Sequence, residues 1–366
     1  MAANSAFRIA VMPGDGIGIE VTDACLAVLD ALQRRVGGFA LEMETVPAGA
    51  NLYLATGDAF PPDSRERAAA ADAILLGAMG MPDVRYPDGT EIAPQLDLRF
   101  DLGLYAGVRP IKWFPGLPTV LADPRAKQID LVIIRESTEG LFAARGKGVI
   151  EDDKVARDTM VITRATSERL FDYSFKLAQR RRAKGRPGLV TCIDKSNVLG
   201  SMVFFRRIFD ETAQRFPDVE ARHHYIDATA LDLVRKPWTF DVMVTENMFG
   251  DIISDLAGGL VGGMGMASSA DIGDRHAVFQ PAHGTAPDIM GKGIANPTAT
   301  FLSAAMMLEW LGDRHGQDSC TLAAGILERA VETGFTGGRI RPAEFGGPHG
   351  TADIARLVID EIAAAG

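Results

Sequence analysis

Apolar positions along the chain fall into two repeating patterns. Nearly continuous apolar runs occupy residues 7–12, 73–77, 131–135, 188–193 and 240–245. Short runs without polar alternation are what strands look like when both faces of a sheet are covered. Between them, apolar residues recur at helical spacing, which predicts helices over residues 20–35, 167–182, 199–215, 299–311, 321–333 and 351–365. Strand and helix alternate over most of the length. That pattern predicts an α/β protein with helices covering a largely parallel sheet. Two stretches read as crossings between lobes: the glycine-rich residues 258–265, and residues 106–118 with their glycines and prolines. If both are crossings, one lobe is built from the two ends of the chain.

Composition narrows the partners more than the fold. A length of 366 residues fits about two domains. The net charge of -10 argues against nucleic acid and anionic membranes as partners, so an anionic ligand would need a local cluster of arginines. Cys25, Cys192 and Cys320 are too sparse for a disulfide framework or a metal site and read as buried small hydrophobes. No signal-peptide pattern or membrane-length apolar stretch is visible, and a cytoplasmic location is expected.

Several polar groups interrupt the apolar patterns in informative places. The turn VMPGDGIG at residues 11–18 joins the first strand to the first helix. It invites comparison with the dinucleotide fingerprint G-x-G-x-x-G, yet the last glycine of that fingerprint would fall on Ile19. Asp251 and Asp255 share one face of a helix, where like charges repel unless a divalent cation sits between them. The plain alternative is a solvated helix face, but the surrounding apolar residues Ile252, Ile253 and Leu256 place the pair off an open surface. Arg99, Arg109 and Arg135 stand at or near the ends of apolar stretches, where a guanidinium forms either a carboxylate clamp or an ordinary salt bridge. Lys195 follows a strand; it is a base if desolvated, or simply a charge beside a helix start capped by Ser196 or Asn197. Residues 281–297 begin as turns and pass into a possible helix, with Thr285 and Asp288 at capping-box spacing.

Together these stretches resemble the β-decarboxylating dehydrogenase family, which includes isopropylmalate, isocitrate, homoisocitrate and tartrate/D-malate dehydrogenases. The resemblance is carried by PGDGIG (13–18), LRFDLGLYAGVRP (98–110), IRESTEG (134–140), DKSNVL (194–199), YIDATALDLV (225–234), TENMFGDIISDLAGGLVGGMGMASSADIG (245–273) and HGTAPDIMGKGIANP (283–297). It implies a two-lobed α/β fold of the isopropylmalate-dehydrogenase type, not a Rossmann fold, with a large mostly parallel sheet and helices on both faces. Residues 1–105 with 262–366 would form the cofactor-binding lobe, and residues 106–261 the lobe for dimerisation, metal and substrate.

By position, Arg99, Arg109 and Arg135 match the arginines that clamp the carboxylates of a malate unit. Lys195 and Asp227 match a catalytic pair supplied across the interface of a homodimer or larger homo-oligomer with shared active sites. Asp227, Asp251 and Asp255 match the ligands of Mg2+ or Mn2+. The loop His283, Gly284, Thr285, Ala286, Pro287, Asp288 and Ile289 matches the adenosine-binding loop, with Asn296 beside it. NADP-using members carry Lys-Tyr where this chain has Asp288 and Ile289, so NAD is the implied cofactor. The implied reaction oxidises the C2 hydroxyl of a (2R)-malate and releases its C3 carboxylate as CO2.

Three positions depart from the family pattern. Phe142 stands where a tyrosine is usual, and Gln280 where a glutamate is usual. Before Arg99, the residues Ala93 and Gln95 replace both the leucine pair of isopropylmalate enzymes and the Ser/Asn pair of isocitrate enzymes. A buried amide at Gln95 favours a small or polar C3 substituent, as in D-malate, tartrate or an isocitrate-like hydroxy-di- or tricarboxylate. The alternatives are a 3-isopropylmalate dehydrogenase and a non-catalytic regulatory subunit.

Overall fold

The computed structural model describes residues 5–364, so the last residue of the predicted helix over 351–365 and the extremes of the expected lobes lie outside the described residues. The strands are β1 (Ser5–Gly14), β2 (Phe39–Thr45), β3 (Ala73–Ala78), β4 (Ala106–Lys112), β5 (Asp130–Glu136), β6 (Val149–Glu151), β7 (Val155–Arg157), β8 (Leu189–Asp194), β9 (Glu220–Tyr225), β10 (Val242–Thr245), β11 (Ser268–Ile272) and β12 (Ala277–Pro281). The α-helices are α1 (Ile17–Val36), α2 (Ala50–Thr56), α3 (Pro62–Ala70), α4 (Pro94–Asp101), α5 (Arg164–Ala183), α6 (Gly200–Ala213), α7 (Ile226–Arg235), α8 (Asn247–Leu260), α9 (Thr298–His315), α10 (Asp318–Thr336) and α11 (Thr351–Ala364). Every strand and helix predicted from apolar patterning is present. Among the described residues, no helix is long and apolar enough to cross a membrane.

Ten strands form one sheet in the order β2-β1-β3-β12-β11-β4-β5-β10-β8-β9. Both flanks are parallel, and the three pairings in the middle, β12 with β11, β11 with β4 and β4 with β5, are antiparallel. One face is buried along its whole width by a core in which α1, α5, α6, α9, α10 and α11 take part. On the other face the cover is split. Helix α8 packs over Ile133, Ile193 and Met243 on one flank, and α3 and α4 pack over Met12, Ile74 and Leu76 on the other. The strip between them, over the antiparallel centre, is an open cleft.

Strand alternation explains why the cleft is polar. Val108, Ile134, Ala270 and Phe279 point into the continuous core. Their neighbours on the opposite face are Arg109, Arg135, Asp271 and Gln280. The segment 106–118 is therefore no simple crossing: its first part is the central strand β4. Pro110 is tolerated there because pairing with β11 ends at Val108, so its missing N–H breaks no bond on that side. Residues 281–297 also differ from expectation. They form turns, with Ala286 at φ 39, and the next helix begins only at Thr298.

Candidate active site

Three elements deliver the three arginines to the cleft. Arg99 comes from the last turn of α4, Arg109 from β4 and Arg135 from the end of β5. All three are buried and line one cavity of about 320 Å³ together with Gln95, Asp251 and Asp255. Between Arg99 and Arg109 lies Asp271 of β11, which is 1 % exposed. Its Oδ2 accepts from Arg99 Nε at 3.0 Å and from Gln280 Nε2 at 2.7 Å. Its Oδ1 accepts from Ser137 Oγ at 3.3 Å and stands 3.7 Å from Arg109 Nη2. Burial alone would raise the Asp271 carboxyl, but Arg99, Arg109 and Arg135 hold it below the usual carboxylate range.

Arg135 is fixed from two sides. Its Nε and Nη2 donate to Asn247 Oδ1 at 2.9 and 2.8 Å, and its Nη1 pairs with Asp251. Burial lowers this guanidinium to about 10, so it remains charged at neutral pH. The ring of Phe142 covers it, with Cζ 5.1 Å from the ring centroid. The position where the resemblance implies a phenol thus presents a bare ring to the cavity.

Asp251 and Asp255 lie at the mouth of the cavity. Asp251 is half-exposed and Asp255 exposed, which corrects the expectation that their apolar neighbours would shelter them; Ile252 is itself exposed. Partial burial and then the charge of Asp251 raise the Asp255 carboxyl. Lys195 and Asp227 do not join this group. They pair with each other, Nζ to Oδ1 at 2.6 Å, and neither lines the cavity. Hydrogen bonding to Lys195 holds the Asp227 carboxyl below its ordinary value. Among the described residues, no three His, Cys, Asp or Glu side chains lie close enough to hold a metal ion, so one chain does not assemble Asp227, Asp251 and Asp255.

The loop after β12 borders two spaces. His283 and Gly284 line the arginine cavity, and His283 also lines an apolar pocket of about 300 Å³ with Ile17, Ala286, Ile289, Ala295 and Asn296. Burial lowers the His283 pKa, which favours the neutral ring. Thr285 is buried and donates to Gly80 O at 2.7 Å, a structural role in place of the helix cap its spacing indicated. Pro287 and Asp288 are exposed and line neither space. Asn296 is buried, with its amide donating to Glu344 Oε2 at 3.0 Å.

Sequence patterning missed four groups that line the cavity or lie against it: Asp271, Ser269, Glu91 and Arg145. Ser269 and Asp271 alternate with Ala270 and Ile272, a half-polar strand whose signal is lost among small residues. Buried polar atoms without a partner in the chain include Arg109 Nη1, Gln95 Oε1, Ser269 Oγ and His283 Nε2, and all four residues line this one cavity. Clustering of unpaired groups in this way marks a surface shaped for a polar ligand.

Residues 8–358 match the family described as isocitrate/isopropylmalate dehydrogenase. The chain is 41% identical over 356 residues to a 3-isopropylmalate/3-methylmalate dehydrogenase of Methanocaldococcus jannaschii, covering 97% of this chain and 98% of that one. It is 41% identical over 373 residues to a 3-isopropylmalate dehydrogenase of Moorella thermoacetica, covering 97% and 99%. Among solved structures, it superposes on isocitrate dehydrogenase from Methylococcus capsulatus with a TM-score of 0.84 at 36% identity, covering 97% and 99%. It also superposes on the apo β-decarboxylating dehydrogenase of Thermococcus kodakarensis with a TM-score of 0.76 at 36% identity, covering 98% and 96%. With end-to-end likeness in sequence and in fold, the chain belongs to the isocitrate/isopropylmalate dehydrogenase family of β-decarboxylating dehydrogenases.

Proposed function

We propose that this enzyme uses NAD and a divalent cation to oxidise and decarboxylate a (2R)-malate bearing a substituent at C3. The observation that carries the proposal is the convergence of three buried arginines on one cavity whose lining keeps unpaired polar atoms. Arg99, Arg109 and Arg135 bind the two malate carboxylates. Asp251 and Asp255, with Asp227 from a second copy of the chain, offer the all-oxygen donor set that Mg2+ or Mn2+ takes. The raised Asp255 carboxyl beside Asp251 fits that role, because a cation relieves the repulsion. The apolar pocket beside His283 and Asn296 receives the adenosine, and Asp288, exposed outside the lining but next in sequence to Ile289 of that pocket, disfavours a 2′-phosphate. When bound, the cation would supply positive charge where oxygen becomes anionic, and NAD would supply the hydride acceptor. Lys195 donates to Asp227, and as the neutral amine, once its proton has passed to that carboxylate or to water, it takes the C2 hydroxyl proton in the partner's cleft.

Two lobes, residues 1–105 with 262–366 and residues 106–261, and a homodimer with shared sites belong to the same reading. So does a reducing, cytoplasmic setting, in which the buried, unpaired Cys25, Cys192 and Cys320 are stable.

For the substituent, the relatives favour the alternative raised from sequence. Their names support a 3-alkylmalate, isopropyl or methyl, over the D-malate, tartrate and isocitrate-like acids first expected. Leu76, Met79, Ala93, Leu96 and Phe142 offer apolar wall for it. Burying an isopropyl group gains about 2 kcal/mol. Leaving the buried Gln95 Oε1 unpaired costs about 1–3 kcal/mol, which keeps a polar substituent as the second reading. These terms are of similar size, so kcat/KM decides. The test is a panel of 3-isopropylmalate, 3-methylmalate, D-malate, tartrate and isocitrate, with NAD or NADP, with Mn2+ or EDTA, and with NADH and CO2 measured separately. A 3-alkylmalate with NAD and Mn2+ is expected to rank first. A best kcat/KM for tartrate or isocitrate would reverse the ranking, and no turnover of any acid would remove the reading.

A further inference from the structure

We infer that Asp271 is the positioning residue of the arginine clamp, and that it requires the amide of Gln280, not a carboxylate, as its partner. The inference rests on the proposed carboxylate-binding role of Arg99 and Arg109. Among the described residues, Asp271 is the one carboxylate in ion-pair contact with either arginine. Asp271 of β11 pairs with Gly107 of β4, two residues along the same strand face from Arg109, and Gly107 in turn pairs with Arg135 of β5. A Cβ on Gly107 would lie 2.6 Å from Ser137 Oγ and 3.1 Å from Asp271 Oδ1, so the glycine makes the room.

The charge distribution gives the cluster a division of labour. Asp271 takes Arg99 Nε at 3.0 Å and stands 3.7 Å from Arg109 Nη2, while Arg109 Nη1 is buried without a partner. One side of the Arg109 fork is thus anchored and the other is left for a ligand oxygen. Gln280 Nε2 completes the anchor by donating to Asp271 Oδ2 at 2.7 Å. A glutamate at 280 would set two carboxylates against each other in a buried site, where they share a proton and titrate as a pair. The departure from glutamate at this position therefore follows from the carboxylate at 271.

The test is a four-member set: wild type, Asp271→Asn, Gln280→Glu and the double variant. Each is assayed for the KM of the hydroxy acid, the KM of NAD, kcat and the pH profile, and malonate binding is measured by calorimetry without turnover. Each single variant is expected to raise the hydroxy-acid KM and the malonate Kd by about tenfold, leaving the NAD KM within about twofold. The defect of Gln280→Glu should shrink from pH 8 to pH 6 as a proton enters the pair. The double variant moves the negative charge from 271 to 280 and should return both constants to within about threefold of wild type. Additive defects in the double variant would overturn the inference, as would an Asp271→Asn protein with unchanged constants. If Asp271→Asn fails to fold, Gln280→Met carries the test: it removes the donor without adding charge and should be milder than Gln280→Glu, and equal or absent effects would overturn the inference. If wild type turns over none of the acids, the proposed function fails, while the malonate ratios still report on Asp271.

Discussion

At residue 15 a single carboxylate settles what the opening turn is for. Asp15 accepts from the amides of Ala50 at 2.7 Å, Asn51 at 2.8 Å and Gly80 at 2.9 Å, and so ties three loops together. Gly16, at φ +58, would place a Cβ 2.2 Å from the carbonyl of Thr285, and the next amide, of Ile17, donates to that carbonyl at 2.9 Å. The glycines let two backbones touch; the turn supports the loop that borders the apolar pocket. Another buried carboxyl makes stability depend on pH. Burial raises Glu136 to about 7 from an ordinary 4.5, against hydrogen bonds from Thr138 and the Glu139 amide. The folded state therefore binds this proton more tightly than the unfolded chain. Its contribution is complete below the unfolded value and is lost as pH rises through 7, a change of roughly 3 kcal/mol. Thermal melts from pH 5.5 to 8.5 should show Tm falling with pH in wild type and falling less, by about a few degrees, in Glu136→Gln. Equal slopes in both proteins would assign the effect to other groups.

Among the elements, α8 and β5 meet at a contact that admits no side chain. A Cβ at Gly250 would lie 2.7 Å from Arg135 Cβ and Cγ and 3.1 Å from its Cα. The closeness lets one helix place Asp251 against Arg135 while Asn247 holds the same guanidinium. Gly250→Ala should push the helix outward and lower kcat/KM by about 10- to 100-fold while the protein still folds, as circular dichroism and Tm would verify. Wild-type kcat/KM in that variant would show that the spacing does not matter. The elements also divide by legibility. Strands β3, β5, β8 and β10 announce themselves as apolar runs because both their faces are covered. Strands β4, β11 and β12 turn one face to the cleft and β9 is an exposed edge, so their mixed composition hid them. Three of the hidden strands, β4, β11 and β12, carry Arg109, Asp271 and Gln280, whereas Arg135 comes from the legible β5.

At the scale of the molecule, the cavity and the Lys195–Asp227 pair are separate in one chain. The proposed homodimer, in which each copy would lend this pair to the other's cleft, would join them. Lys195→Ala and Asp251→Asn should each be nearly inactive alone. Co-expressed, they form mixed dimers in which one of two sites has every group intact, so activity should recover to roughly a quarter of wild type. Recovery no greater than the sum of the two variants would place both groups in the same chain's site.

Apolar periodicity by itself determined the layered α/β architecture, because burial on both faces of a strand or along one stripe of a helix leaves its period in the sequence. The arginines at the ends of apolar stretches and the paired aspartates on one helix face were legible for the same local reason. Which of them share a site was decided only in three dimensions. Asp271 faces Arg99 and Arg109, and Gln280 faces Asp271, because antiparallel pairing of β4, β11 and β12 sets their register. Alternation along one strand says that a residue lies on one face or the other. The hydrogen bonds to neighbouring strands, more than 100 residues apart for Gly107 and Asp271, decide what it meets there.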